Sequence, residues 1–254
     1  MRFKERHVIV AGGTMGVGRA SALAFAREGA RVSVLGRSAT RGEEVVTAIK
    51  LDGGQACFIE VDSTNAADTE RAIDAAVRWG GIPDVLYNNA GKVLVKSFLN
   101  TDDAEWNELW SVNVMTMVHT TRAVLPKMVA RGRGAIVNMA SISSLTASPL
   151  ESAYCTTKGA CVQLTRSIAV EYRNKGVRCN AICPGFIKTA HGLAELEAFG
   201  RSEFPFTIEN VCASQGRLAE PDEIAATVLF LASDDAAFIN GEILTVDNGA
   251  LAIT

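Results

Sequence analysis

The chain has 254 residues, is 48% hydrophobic and carries a formal net charge of −3, with a mean hydropathy of +0.16. That is enough apolar material for one large α/β domain; no apolar run approaches the ~18 residues of a membrane span, and no dense basic stripe marks a nucleic-acid binder. Six cysteines (Cys57, Cys155, Cys161, Cys179, Cys183, Cys212) without a C-x-x-C spacing, and three scattered histidines (His7, His119, His191), predict no metal site and reduced thiols in a cytoplasmic protein.

The charged residues 1–7 lack the long apolar core of a signal peptide. His7-Val-Ile-Val-Ala11 reads as a short strand. Gly12-Gly-Thr14-Met15-Gly16-Val17-Gly18 follows, and then an alanine-rich helix over Arg19–Glu28 closed by Gly29. Strand, glycine turn and helix is the setting of a phosphate-binding loop. Glycines let the backbone approach a pyrophosphate, whose charge sits at the helix N-terminus. The spacing is G-x-x-x-G-x-G rather than G-x-G-x-x-G, so the two flanks carry the reading more than the glycines do. The second strand, from Arg31, ends in Gly36-Arg37. An acid at that point reads a ribose 2′-hydroxyl, whereas an arginine suits a 2′-phosphate. Arg37 therefore predicts NADP(H), with NAD(H) as the alternative; the plain competing reading is a solvated loop arginine.

Further on, the pattern predicts a helix over Arg41–Lys50, a strand over Ala56–Asp62 followed by Ser63, and a helix over Asp68–Trp79. A fourth strand starts at Asp84 and ends in Asn88-Asn89-Ala90-Gly91. One long helix is expected over Ala104–Arg131, carrying Asn113 and a possible kink at Pro126. A strand over Gly134–Ser141 precedes a helix that runs from the Glu151–Thr165 stretch to about Asn174. A strand over Val177–Cys183 ends at Pro184-Gly185, residues 190–215 show no clear period, and a helix over Pro221–Ala232 leads to a last strand over Glu242–Asp247. Apolar strands alternating with helices predict a Rossmann-like, doubly wound parallel sheet of about seven strands with helices on both faces. Short connections throughout predict one domain over residues 1–254.

The glycine loop, Arg37, Asp62, Asn89, Ser141 and Thr189 all follow strand ends, where ligands of such sheets bind. Tyr154 and Lys158 stand at i and i+4 of the expected helix, on one face. A nearby ammonium favours phenolate and lowers a tyrosine pKa from its usual ~10, which suits proton exchange with an alcohol. Taken alone, the pair also fits a surface tyrosine beside a lysine.

Together these pieces resemble the short-chain dehydrogenase/reductase family in its compact branch. The resemblance rests on Gly12–Gly18, Asn88-Asn-Ala-Gly91, Asn113, Ser141, Tyr154-x-x-x-Lys158 and Pro184-Gly-Phe-Ile-Lys-Thr189, and on Arg217-Leu-Ala-Glu-Pro221, Ile239-Asn-Gly241 and Asp247-Asn-Gly249. In this family the catalytic serine lies thirteen residues before the tyrosine, and Ser141 stands there. The resemblance implies an oxidoreductase interconverting a secondary alcohol and a ketone. Tyr154 would be its acid/base, Ser141 would bond the reacting carbonyl, Lys158 would tune Tyr154 and bind ribose, and Asn113 would continue a proton relay through a water. It implies cofactor contacts from Gly12, Thr14, Met15, Gly16, Val17, Gly18, Arg37, Asp62, Ser63, Asn89, Ala90, Gly91, Pro184, Gly185, Ile187 and Thr189, besides Tyr154 and Lys158. It also implies a homotetramer. Three departures from the family pattern stand out: Ala11 for threonine, Ala140 for serine and Ser144 for glycine.

In this family residues 190–215 would cover the substrate, and their apolar side chains predict a mobile lid. Ser143, Leu193, Phe199 and Phe204 are the expected substrate contacts. The charges of the segment are mostly acidic, so a neutral, hydrophobic ketone or secondary alcohol is expected, cyclic or aromatic forms included, rather than an anion. A 3-oxoacyl-(acyl-carrier-protein) reductase and a non-catalytic NADP(H) sensor are the alternatives.

Overall fold

The computed structural model describes residues 1–252. Strands β1 (His7–Ala11), β2 (Arg31–Gly36), β3 (Gln55–Glu60), β4 (Val85–Asn88), β5 (Gly134–Met139), β6 (Val177–Pro184) and β7 (Ile243–Val246) form one seven-stranded sheet in the order β3-β2-β1-β4-β5-β6-β7. Every pairing is parallel. All residues of β1, β4 and β5 are buried, as expected of strands covered on both faces.

Period two divides the core. Val8 and Val10 of β1 face α1 (Gly16–Arg27), α2 (Ala39–Leu51) and α9 (Pro221–Ala232), in a core with Phe25, Val45, Val228 and Leu229. Ile9, between them, faces α3 (Ala66–Gly80), α5 (Thr116–Arg131) and α6 (Ser152–Tyr172), in a core with Ile73, Val124, Met128 and Ile168. Buried polar groups tie α5 and α6 to the sheet. Asn88 Nδ2 donates to Asn138 Oδ1 at 2.9 Å and to Thr121 Oγ1 at 3.2 Å, and Asn138 Nδ2 donates to Thr165 Oγ1 at 2.9 Å. Each of these buried amides finds a partner, which fixes α6 against the sheet.

Two sequence expectations need correction. The single helix over Ala104–Arg131 is instead α4 (Asp103–Trp110), a π-turn over Ser111–Met115, and α5. The backbone stays helical through Ser111–Met115, where the hydrogen bonding widens around Asn113, and Pro126 lies inside α5. A π-turn inserts a residue without changing composition, so periodicity does not reveal it. Residues 190–215 are largely helical: α7 (Ala190–Gly200) and α8 (Ile208–Gln215). Caps start both helices. Thr189 Oγ1 accepts from Gly192 N at 3.1 Å, and the Asn210 side chain reaches back to Thr207 N at 2.8 Å in a capping box. The helices are short and contain Gly192 and Gly200, which blurred their apolar period.

Candidate active site

The chain leaves β1 for β2 and β3 on one side and returns to β4 on the other. Beyond the carboxyl ends of the strands at this switch lies a cavity of about 540 Å³. All the expected cofactor positions line it except Gly18, which packs just behind the loop. A Cβ on Gly18 would stand 2.1 Å from Gly12 O, and one on Gly12, at φ +78°, would stand 2.7 Å from Ala90 N. These glycines thus allow the loop to fold against β4. Asn89 locks it there, donating to Gly12 O at 2.9 Å and accepting from Tyr87 OH at 3.0 Å. No side chain caps α1 and no acid lies in its first turn. Its N-terminal amides and dipole therefore face the cavity unopposed, which fits a pyrophosphate.

Arg37 lies exposed at the mouth, beside Gly36, whose missing Cβ makes room for Thr14. Arg41 of α2 reaches Met15 Sδ at 3.6 Å, so a second guanidinium stands by the same corner. Sequence reading passed over Arg41, because only the turn of α2, capped by Ser38, brings it back to the loop.

At the other end of the cavity Tyr154 and Lys158 project from α6, both buried. Lys158 Nζ lies 5.7 Å from the Tyr154 ring centroid and donates to Met139 O at 3.0 Å. Ser141 caps a short turn, accepting from Ser143 N at 3.1 Å, while Ser144 Oγ accepts from Ser141 N at 3.1 Å. Ser144 therefore braces the loop that presents Ser141, and its departure from glycine has a structural role. Ser141 and the Tyr154 phenol line the same cavity. Asn113 is fully buried behind them. Its Oδ1 accepts from Lys92 N at 2.7 Å, and its Nδ2 donates to Lys92 O and to Thr157 Oγ1, both at 2.9 Å.

The expected lowering of the Tyr154 pKa is not found in the ligand-free cleft. Burial, and then the carboxyls of Glu195 and Glu151, push the phenol well above its ordinary value, and the nearby Ser141 side chain opposes them. Burial likewise pulls the Lys158 ammonium down. Desolvation outweighs the i, i+4 spacing here. The result is a neutral phenol, which is a proton donor.

The cover supplies residues that sequence reading missed. Leu193 and Phe204 are exposed, Phe199 is buried against Phe206, and none of the three lines the cavity. Ser143 does, with Phe186, His191, Glu151 and Glu195. Phe186 stacks on Phe206 at 5.5 Å. Gln215, at the end of α8, donates to Phe186 O at 2.8 Å and accepts from Phe186 N at 2.9 Å, holding the cover to β6. The signals available were the i, i+4 spacing of His191 and Glu195 and the position of Glu151 three residues before Tyr154.

A sheet, loop and cleft of this kind define an oxidoreductase that uses a dinucleotide. A family model described as "Enoyl-(Acyl carrier protein) reductase" matches residues 11–250, and the chain belongs to the short-chain dehydrogenase/reductase family, whose members act on CH–OH groups with NAD(P). It is 37% identical over 254 residues to 2-(S)-hydroxypropyl-CoM dehydrogenase 3 of Xanthobacter autotrophicus, covering 99% of both chains. It is 37% identical over 252 residues to meso-2,3-butanediol dehydrogenase of Serratia marcescens, covering 99% of this chain and 97% of the other. The crystal structure of levodione reductase superimposes with a TM-score of 0.95 at 30% identity, over 100% of both chains.

Proposed function

We propose that this enzyme interconverts a neutral secondary alcohol and its ketone, with Tyr154 as proton donor in reduction and acceptor in oxidation. The observation that carries the reading is the buried Tyr154 phenol, with Ser141 on the same cavity wall and Lys158 beside its ring, in the cavity shared with the glycine loop. The cofactor supplies or takes the hydride, and the chain orients it and manages one proton. Gly12–Gly18 and the α1 N-terminus would hold the pyrophosphate. The Thr189 hydroxyl accepts from Gly192 N, so its own proton remains free for a carboxamide. Ser141 and Tyr154 would direct two donors at the oxygen on which charge develops. Lys158 would bind ribose and return protons to Tyr154, and Asn113 holds the Lys92 backbone beside that path.

Arg37 and Arg41 at the ribose end support NADP(H) over NAD(H). Acidic groups at the other end oppose an anionic substrate, and an acidic carrier protein would meet the same opposition. The apolar part of the expected preference now rests on Phe186 and Ile142, which line the cavity. The homotetramer rests on the family resemblance; exposed Val170 and Phe238, which lie by one surface pocket, offer an apolar patch for a subunit contact. No helix among the described residues is long and apolar enough to cross a membrane. Turnover of a ketone panel with NADH and NADPH tests the reading. Reduction of at least one ketone, with a higher kcat/KM for NADPH, is expected; cofactor binding without turnover of any member would leave a sensor instead.

A further inference from the structure

The cavity holds two acids that the chemistry above does not use. Glu151, immediately before α6, is only 1% exposed and lines the cavity three residues before Tyr154. Both side chains line one cavity, and the Glu151 carboxyl is near enough to the phenol to raise its pKa. Ser143 Oγ donates to Glu151 Oε2 at 3.4 Å, whereas the buried Glu151 Oε1 meets no donor. Glu195 comes from α7 of the cover, with its side chain only 12% exposed, and lines the same cavity, where the Glu151 charge disfavours its own ionisation. His191, one turn earlier on α7, keeps Nε2 4.0 Å from Glu195 Oε2.

A buried carboxyl oxygen without a donor is costly, and two facing carboxylates cannot both ionise cheaply. Burial pushes both acids up, and the Glu151 charge raises Glu195 further, so the pair favours holding a proton. A pair holding one proton offers an acceptor and a donor side by side, and a hydroxyl group is both. An ammonium only donates, and it would enter a site that already contains the Lys158 cation. Nor is the cluster a metal centre: no group of three or more metal-binding side chains occurs among the described residues.

We propose that Glu151 and Glu195 bind a second hydroxyl on the substrate, next to the reacting carbon, so that the preferred substrates are vicinal diols and α-hydroxy ketones. This inference rests on the dehydrogenase reading above. Glu195 rides on the cover and Glu151 on the floor, so a substrate hydroxyl bound between them would also draw the cover closed. The titratable groups facing the pair are Tyr154, Cys155 and Lys158 of α6 and His191 of α7.

The test is oxidation of three alcohols of one ring size, cyclohexane-1,2-diol, cyclohexanol and 2-aminocyclohexanol, with NADP+ and NAD+. A satisfied buried carboxyl predicts a kcat/KM for the diol roughly 10- to 100-fold above that for cyclohexanol. Glu195→Leu should bring that ratio below about threefold, whereas Glu195→Gln, which keeps a donor and an acceptor, should retain most of it. In the parent the ratio should fall as pH rises and the pair loses its proton; in Glu195→Gln it should fall much less. The pH comparison stands even if Glu195→Leu does not fold. A parent ratio near one, a ratio unchanged in Glu195→Leu, equal pH dependence in the parent and Glu195→Gln, or a preference for the amino alcohol would overturn the inference while leaving the dehydrogenase reading intact. No turnover of any of the three, together with failure of the ketone panel, would remove both.

Discussion

The floor of the cleft and its cover are built on different principles. The floor is made of strand tips and one helix face, and its polar groups are tied down: Asn89 between Tyr87 and Gly12, Asn113 on Lys92 and Thr157, Ser141 in its capped turn. The cover is two short helices held by end contacts, Thr189 at one end and Gln215 at the other, with Leu193, Phe204 and Ile208 left exposed. Reaction class belongs to the floor, where geometry is fixed. The cover adds Glu195 and His191 to the cavity lining from a helix outside the sheet.

The largest expected effect is a break in the floor. Gly18→Ala places a Cβ within 2.1 Å of Gly12 O, so cofactor affinity should fall at least about 100-fold, read by fluorescence titration. An affinity within threefold of the parent would show that the loop need not pack on β4 as described. Lys158→Ala comes next and should lower both kcat and cofactor affinity, because its ammonium serves both. A change in affinity alone would remove it from the proton path. Arg37→Ala should reduce kcat/KM with NADPH by roughly tenfold, about 1.4 kcal/mol, and with NADH little. Equal losses would mean that the 2′-phosphate is read elsewhere, with Arg41 as the first candidate.

The smallest effect sharpens the contrast from the cover side. Burial raises the Glu195 pKa in the folded state, so the folded protein holds a proton that the unfolded chain releases at ordinary carboxylate pH. The associated stability is full below that range and is lost as pH rises towards the raised value. Glu195→Gln removes this dependence. Its Tm, compared with that of the parent, should gain between pH 5 and pH 9 by the equivalent of at least ~1.4 kcal/mol, the worth of one pKa unit. A difference in Tm that does not move with pH would contradict the buried acid.

The floor was largely legible in the sequence because its residues are set by backbone geometry. Glycines that no Cβ can replace, an asparagine pair after β4, and a tyrosine and lysine one helical turn apart all leave fixed spacings. What spacing did not convey was environment. The i, i+4 ammonium suggested an acidic phenol, whereas burial and two carboxyls make it a weaker acid. The π-turn at Asn113 was equally hidden, since it alters hydrogen bonding and not composition. The cover was misread for a related reason. Its apolar residues suggested a substrate wall, yet Phe199 packs inward on Phe206 and Leu193 and Phe204 face out. Glu195 and Glu151 line the cavity instead.

The most direct test of the central claim, that the Tyr154 phenol moves the proton, is Tyr154→Phe assayed for turnover and cofactor binding together. The substitution removes one oxygen from a buried ring and leaves the glycine loop untouched. Cofactor affinity close to that of the parent with turnover reduced by on the order of 1,000-fold, the scale of general acid catalysis, is the expected result. Turnover within about tenfold of the parent, ~1.4 kcal/mol in barrier, would contradict it.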